Sequence, residues 1–187
     1  MQLWPRRHSA PLAATISPVT TPKSIMHELD TGLTKSLPGA ETERTLAAFH
    51  RQIEAWELAM PPVEPLVLDF GLGQFDRVGL IEYWIANEKE AGYCGKYLFV
   101  FDGQTCPAHS HRVKHETFFL VRGCLDVVLD GRPLVLRPGD VLPISPGHVH
   151  SFCGQGNSLL LEVSMPCEVR DNCFEDPRTQ AWLERLG

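Results

Sequence analysis

The chain has 187 residues, a formal net charge of −6 with histidine neutral, and 43% hydrophobic residues. This length accommodates one domain with a substantial apolar core. The acidic balance argues against a nucleic-acid partner, which calls for a basic face, and no apolar run approaches the roughly 20 residues of a membrane-spanning helix.

Residues 1–38 are expected to form a flexible arm. Pro5, Pro11, Pro18 and Pro22 spoil any amphipathic helix there, and no apolar h-region marks a secretory signal. Residues 39–62 read as a helix packed on the body of the domain. From Glu41 to Met60 the apolar positions Leu46, Phe49, Ile53, Trp56 and Met60 step by three or four and share one face. Glu41 and Glu43 complement the dipole of the first turn, and Pro61-Pro62 is the expected stop.

From residue 63 to 187 the pattern changes to short strands and turns. Leu66–Phe70, Leu80–Ala86, Tyr97–Phe101, Glu116–Val121, Leu125–Leu129, Leu134–Leu136, Val141–Ile144, His148–Cys153 and Leu159–Ser164 are apolar or alternating runs rich in β-branched and aromatic residues. Asp130-Gly131 is a two-residue hairpin signal. Many short strands punctuated by glycine and proline predict an all-β double-sheet jelly roll or small barrel, and a short helix after Pro177 closes the chain. Six cysteines without a CxxC pair read as thiols of a reducing compartment, so the cytoplasm is the expected location.

One stretch carries chemistry. In GQTCPAHSHRVKHETFFLVRG, from Gly103 to Gly123, His109 and His111 lie two apart, so a strand would project both imidazoles from one face. Glu116 opens the next apolar run and can return across the turn, and His150 in SPGHVHSF is the candidate fourth ligand. Three imidazoles and a carboxylate suit a divalent first-row ion such as Mn, Fe, Ni or Zn. His115 and His148 are not expected to be ligands, and neither are Cys106 and Cys153.

The same stretch matches the first cupin motif, G(X)5HXH(X)4E(X)6G, at Gly103, His109, His111, Glu116 and Gly123. Gly139, Gly147 and His150 match the second motif, with Ser145 and Gly154 replacing its proline and asparagine. The chain thus resembles a metal-binding cupin with a single barrel. Finer fragments are similar to the D-lyxose isomerase family: DFGLGQF from Asp69, YCGK from Tyr93, GQTCP from Gly103, and Asp171 to Arg178 near the end.

That resemblance implies interconversion of D-lyxose with D-xylulose, and of D-mannose with D-fructose. The implied cofactor is one divalent ion, manganese first, with Fe, Co, Ni and Zn as alternatives. Proton transfer through an enediol then needs an acid and a base. Lys114, in register with Glu116, is the candidate acid, with an ammonium pKa expected to fall beside a cation. Glu175 is the candidate base, with Glu162 and Asp171 in reserve. The expected partners are a monosaccharide and a second copy of the chain. A metal-dependent dioxygenase or decarboxylase, or a non-catalytic sugar-binding cupin, are the competing readings.

Overall fold

The computed structural model describes residue 37 and residues 39–186. The expected arm lies outside the described residues except at Leu37, whose amide donates to the Val67 carbonyl at 2.8 Å. The elements are α1 (Ala40–Ala55), β1 (Leu66–Leu68), β2 (Leu80–Glu88), β3 (Tyr93–Val100), β4 (Thr105–His111), β5 (Glu116–Arg122), β6 (Leu125–Leu129), β7 (Arg132–Leu136), β8 (Val141–Ile144), β9 (His150–Gly154), β10 (Ser158–Ser164), β11 (Asn172–Phe174) and α2 (Pro177–Glu184). They form a six-stranded sheet, β1-β2-β3-β10-β5-β8, and a five-stranded sheet, β11-β4-β9-β6-β7, with antiparallel pairing throughout. This is the two-sheet cupin jelly roll, with a helix on its N-terminal side.

Where α1 covers it, the six-stranded sheet is buried on both faces, which explains why those parts of β1, β2, β3 and β10 read as nearly continuous apolar runs. Alternation sends Leu80, Trp84, Leu98, Val100, Phe118, Leu120 and Leu160 into the barrel. The intervening Ile81, Tyr83, Phe99 and Leu159 face outward and meet Phe49 and Ile53 of α1. Phe49 stacks on Tyr83 with centroids 5.0 Å apart and meets Phe99 edge-on, also at 5.0 Å.

The helix stops at Ala55, not at Met60. Glu57 takes a left-handed φ of 55°, and the Leu58 amide folds back onto the Ile53 carbonyl at 3.1 Å. Trp56, Leu58 and Met60 pack on the same outer cluster from this turn, so the apolar spacing persists after the helix has ended. Pro61-Pro62 therefore follows the stop without causing it.

Turn chemistry sets the connections around the first motif. Gly123 joins β5 to β6 at φ 87°, and a Cβ there would lie 2.4 Å from the Asn157 carbonyl oxygen. Only glycine fits that approach. Asp130-Gly131 joins β6 to β7, as the hairpin signal indicated. The predicted C-terminal helix is α2, with Asp176 as N-cap accepting from the Arg178 amide. The short strand β11 was not anticipated; it pairs with β4 at the metal-ligand end, Asn172 with His111 and Phe174 with His109.

Candidate metal centre and catalytic cavity

His109 and His111 both face the barrel interior because β4 is not a regular strand. Its pairing with β9 shifts register between Cys106 and His109. Without that irregularity the inward phase of Cys106 would continue to Ala108 and Ser110; with it, both imidazoles point inward and are buried. His150, the first residue of β9, is the cross-strand partner of His109. Glu116, the first residue of β5, approaches from the opposite sheet.

One donor atom from each of His109, His111, Glu116 and His150 lies within 4.8 Å of the other three. The second nitrogens orient two of the rings. His109 Nδ1 lies 2.9 Å from the Pro107 carbonyl and His150 Nδ1 lies 3.2 Å from the His148 carbonyl. Both contacts favour protonation at Nδ1 and leave Nε2 bare toward the centre.

His150 Nε2 and Glu116 Oε1 are only 2.8 Å apart, yet neither has a hydrogen bond, and both nitrogens of His111 also lack one. His111 Nε2, His150 Nε2 and the Glu116 carboxylate converge on one point, whereas His111 Nδ1 faces Asp171 Oδ2 at 3.9 Å. Orphaned buried polar atoms cost about 1–3 kcal/mol each, and a divalent cation satisfies this borderline N/O donor set. The residues therefore fit a metal.

Protonation is consistent with that fit. Burial first, then the neighbouring His150 and His111, hold His109 well below its ordinary pKa, and burial likewise lowers His111. Burial opposes ionisation of Glu116, but Lys114 and the two imidazoles overcome it and hold its carboxyl well below the usual range. Neutral imidazoles and an ionised carboxylate are the forms that bind a cation.

Behind Glu116 runs a buried ionic chain. Lys114 Nζ lies 2.6 Å from Glu116 Oε2 and 2.8 Å from Glu162 Oε1. Lys96 Nζ lies 3.4 Å from Glu162 Oε2 and 3.1 Å from Glu82 Oε1, and Trp84 Nε1 donates to Glu82 Oε2 at 2.8 Å. Desolvating such groups costs several kcal/mol per ion, so the chain is an expensive way to build a core. Ionised, the five groups sum to −1, an excess that a cation beside Glu116 would neutralise.

These groups line one cavity together with His109, His111, Phe70, Asn172 and Phe174. Burial disfavours the Lys114 ammonium, but Glu162 and Glu116 outweigh it and raise its pKa. The protein's own carboxylates hold the proton on. Burial raises and Lys114 and Lys96 lower the Glu162 pKa, with a net shift downward, so its carboxylate is ionised.

The structure does not bring Glu175 to this cavity. Phe174 ends β11 pointing inward, so the next side chain points out; Glu175 is exposed, in an outer groove beside Asp130 and Ser151. Asp171 acts on the backbone. Its Oδ1 accepts from the Arg112 and Val113 amides at 3.1 and 2.9 Å, and its Oδ2 from the Lys114 amide at 2.9 Å. It clamps the turn that carries Lys114. Among the three acidic candidates only Glu162 is inside, at 2% exposure.

Glu82, which no motif included, and Lys96, the last residue of the YCGK fragment, are cavity residues to which the sequence reading gave no role. Their signal was present: Glu82 is a charge within an apolar strand run and Lys96 one at the edge of the next, both at inward positions. Cys106 lines the cavity too, with its thiol pushed well up by burial, and it stands outside the converging set of His109, His111, Glu116 and His150. His115 and His148 are exposed, the latter 2.5 Å from Asp130 Oδ2.

A cupin-domain family model matches residues 99–163, and a D-lyxose isomerase family model matches residues 65–130. The chain is 31% identical over 140 residues to the D-lyxose/D-mannose isomerase of Thermosediminibacter oceani, covering 60% of this chain and 76% of that protein. It is 30% identical over 143 residues to the D-lyxose ketol-isomerase of a Thermofilum species, covering 61% and 78%. Among solved structures, the L-ribose isomerase of Cellulomonas parahominis superposes with a TM-score of 0.65 at 17% identity, over 80% of this chain and 97% of that one. The L-ribose isomerase of Geodermatophilus obscurus gives 0.62 at 16%, over 79% and 96%. At these identities the solved structures speak for the fold.

Proposed function

Because this chain belongs to the D-lyxose isomerase family of cupins, we propose that it interconverts D-lyxose with D-xylulose, and D-mannose with D-fructose, by moving a proton between C1 and C2 of the open-chain sugar. His109, His111, Glu116 and His150 would hold one divalent ion, manganese by preference. Such an ion acts as a Lewis acid that stabilises negative charge developing on the substrate oxygens.

The remaining chemistry belongs to side chains. Glu162 Oε1 accepts from Lys114 Nζ and from Ser164 Oγ at 2.8 and 2.9 Å, which leaves Oε2 as the less engaged oxygen. Oε2 is the atom that takes the C2 proton and returns it to C1. Lys114, kept protonated by two carboxylates, donates to the sugar oxygens. Burial of the whole set excludes water and strengthens each of these interactions.

The observation that carries this reading is the Lys114 ammonium bridging Glu116 and Glu162 inside one cavity. A carboxylate and an ammonium beside a metal ligand set are what an enediol proton transfer needs. Supporting inferences concern setting and assembly. The six cysteines are free thiols, which favours the cytoplasm. Phe119, Val141 and Val163 expose an apolar strip on the outer face of the six-stranded sheet, and the homodimer we propose buries it against a second copy.

Anaerobic incubation of metal-loaded protein with D-lyxose tests the reaction type. Accumulation of D-xylulose without oxygen is the expected result. Turnover only in the presence of oxygen would assign the chain to dioxygenase chemistry.

A further inference from the structure

The DFGLG fragment has no part in the proton transfer above, yet it is built with care. Asp69 is buried, and its carboxylate accepts from the Gly71 amide at 2.9 Å and the Gly73 amide at 2.8 Å. This closes a tight turn in which Gly71 has φ 73°. A Cβ on Gly71 would lie 2.3 Å from the Trp182 indole. The turn is therefore a seat for one ring of the C-terminal helix, and no other residue type fits it.

Trp182 seated there has a second neighbour. It walls a small compartment of about 90 Å³ with Leu183, Phe70, Trp84 and Phe174. That compartment shares Glu82, Lys96, Asn172, Phe70 and Phe174 with the cavity holding the candidate metal ligands. Polar groups stand at the divide, and beyond it the walls are almost wholly apolar. Glu82 is fixed at that divide by Trp84 and Lys96.

A sugar with C1 and C2 at the metal-ligand end would extend past Glu82 and Lys96, and its last carbons would enter the apolar compartment. We propose that Trp182, held by Gly71, is the specificity-determining wall that sets substrate chain length and favours five-carbon over six-carbon aldoses. This rests on the isomerase reading, and it adds a residue and a rule to it. The ring presents an apolar face to the terminal C–H groups, while the charged groups at the divide take the middle hydroxyls.

The test compares wild type with Trp182→Phe, Trp182→Ala and Gly71→Ala, all metal-loaded. For each, kcat/KM is measured with D-lyxose and D-mannose. One carbon in an apolar pocket discriminates by about 10–200-fold, so Trp182→Ala should raise the mannose-to-lyxose ratio about tenfold, with a smaller rise for Trp182→Phe. Gly71→Ala should also change the ratio, because its Cβ displaces the Trp182 ring while leaving every lining residue's identity intact. Thermal shifts with D-arabinitol and D-mannitol, which cannot isomerise, read binding independently of turnover. Wild type should be stabilised more by the five-carbon polyol, and Trp182→Ala should lose that preference. If wild type turns over neither sugar but the polyol preference follows Trp182, the isomerase reading fails and the chain-length wall stands. An unchanged ratio and an unchanged polyol preference in the folded variants would overturn the wall.

Discussion

Along β5 the inward side chains run Glu116, Phe118, Leu120, and along β10 they run Ser164, Glu162, Leu160. The same strands thus build two interiors, an ionic end with the histidines and an apolar end sealed by Leu120, Leu125, Val127 and Phe152. The apolar end holds the sheets together by burial. The ionic end spends stability to keep charges in register, and its only return is chemistry. Antiparallel pairing makes this division cheap in sequence, because two steps along a strand move a side chain from one end to the other on the same face.

Removing a ligand should separate the two ends most sharply. His111→Ala or His150→Ala should eliminate bound metal and turnover while the apolar end keeps the fold, read by elemental analysis, activity and circular dichroism. Retention of stoichiometric metal by either variant would break the ligand assignment. Chelation of the native protein should lower the melting temperature, since an ion that binds only the folded state stabilises it by about 4 kcal/mol at a thousandfold excess over Kd.

Next in size is Glu162→Gln, which keeps shape and loses basicity. Turnover should fall about 10²–10⁴-fold with metal content unchanged. At the other end, Leu120→Ala should cost about 2–5 kcal/mol of stability in chemical denaturation, yet each folded molecule should turn over as before. A large loss of turnover per folded molecule would show that the ends are coupled. Smallest is Glu175→Gln, expected to change turnover no more than about twofold, as for other exposed substitutions.

How much of this was legible in the sequence follows from the periodicities involved. His109 and His111 announced themselves by the strand repeat, and Gly123 by a turn that no side chain fits. The helix was legible by its stripe, but its end was hidden, because Trp56, Leu58 and Met60 return to the same apolar cluster through a left-handed turn. Glu175 was misread because β11 is three residues long and leaves no pattern to tell inside from outside. Glu82 was in plain view as a charge within an apolar run and Lys96 as one at the edge of the next, but their meaning depends on β2 and β3 pairing so that both point into one cavity. The register shift between Cys106 and His109 is a three-dimensional fact that spacing alone does not reveal.

The central claim is that a buried carboxylate moves a proton between neighbouring sugar carbons. Its most direct test is isomerisation of D-lyxose by metal-loaded wild type and Glu162→Gln side by side, with the product followed by NMR. The account predicts D-xylulose from wild type and a rate about 10²–10⁴-fold lower from the variant at equal metal content. Wild-type turnover in folded, metal-loaded Glu162→Gln would contradict it.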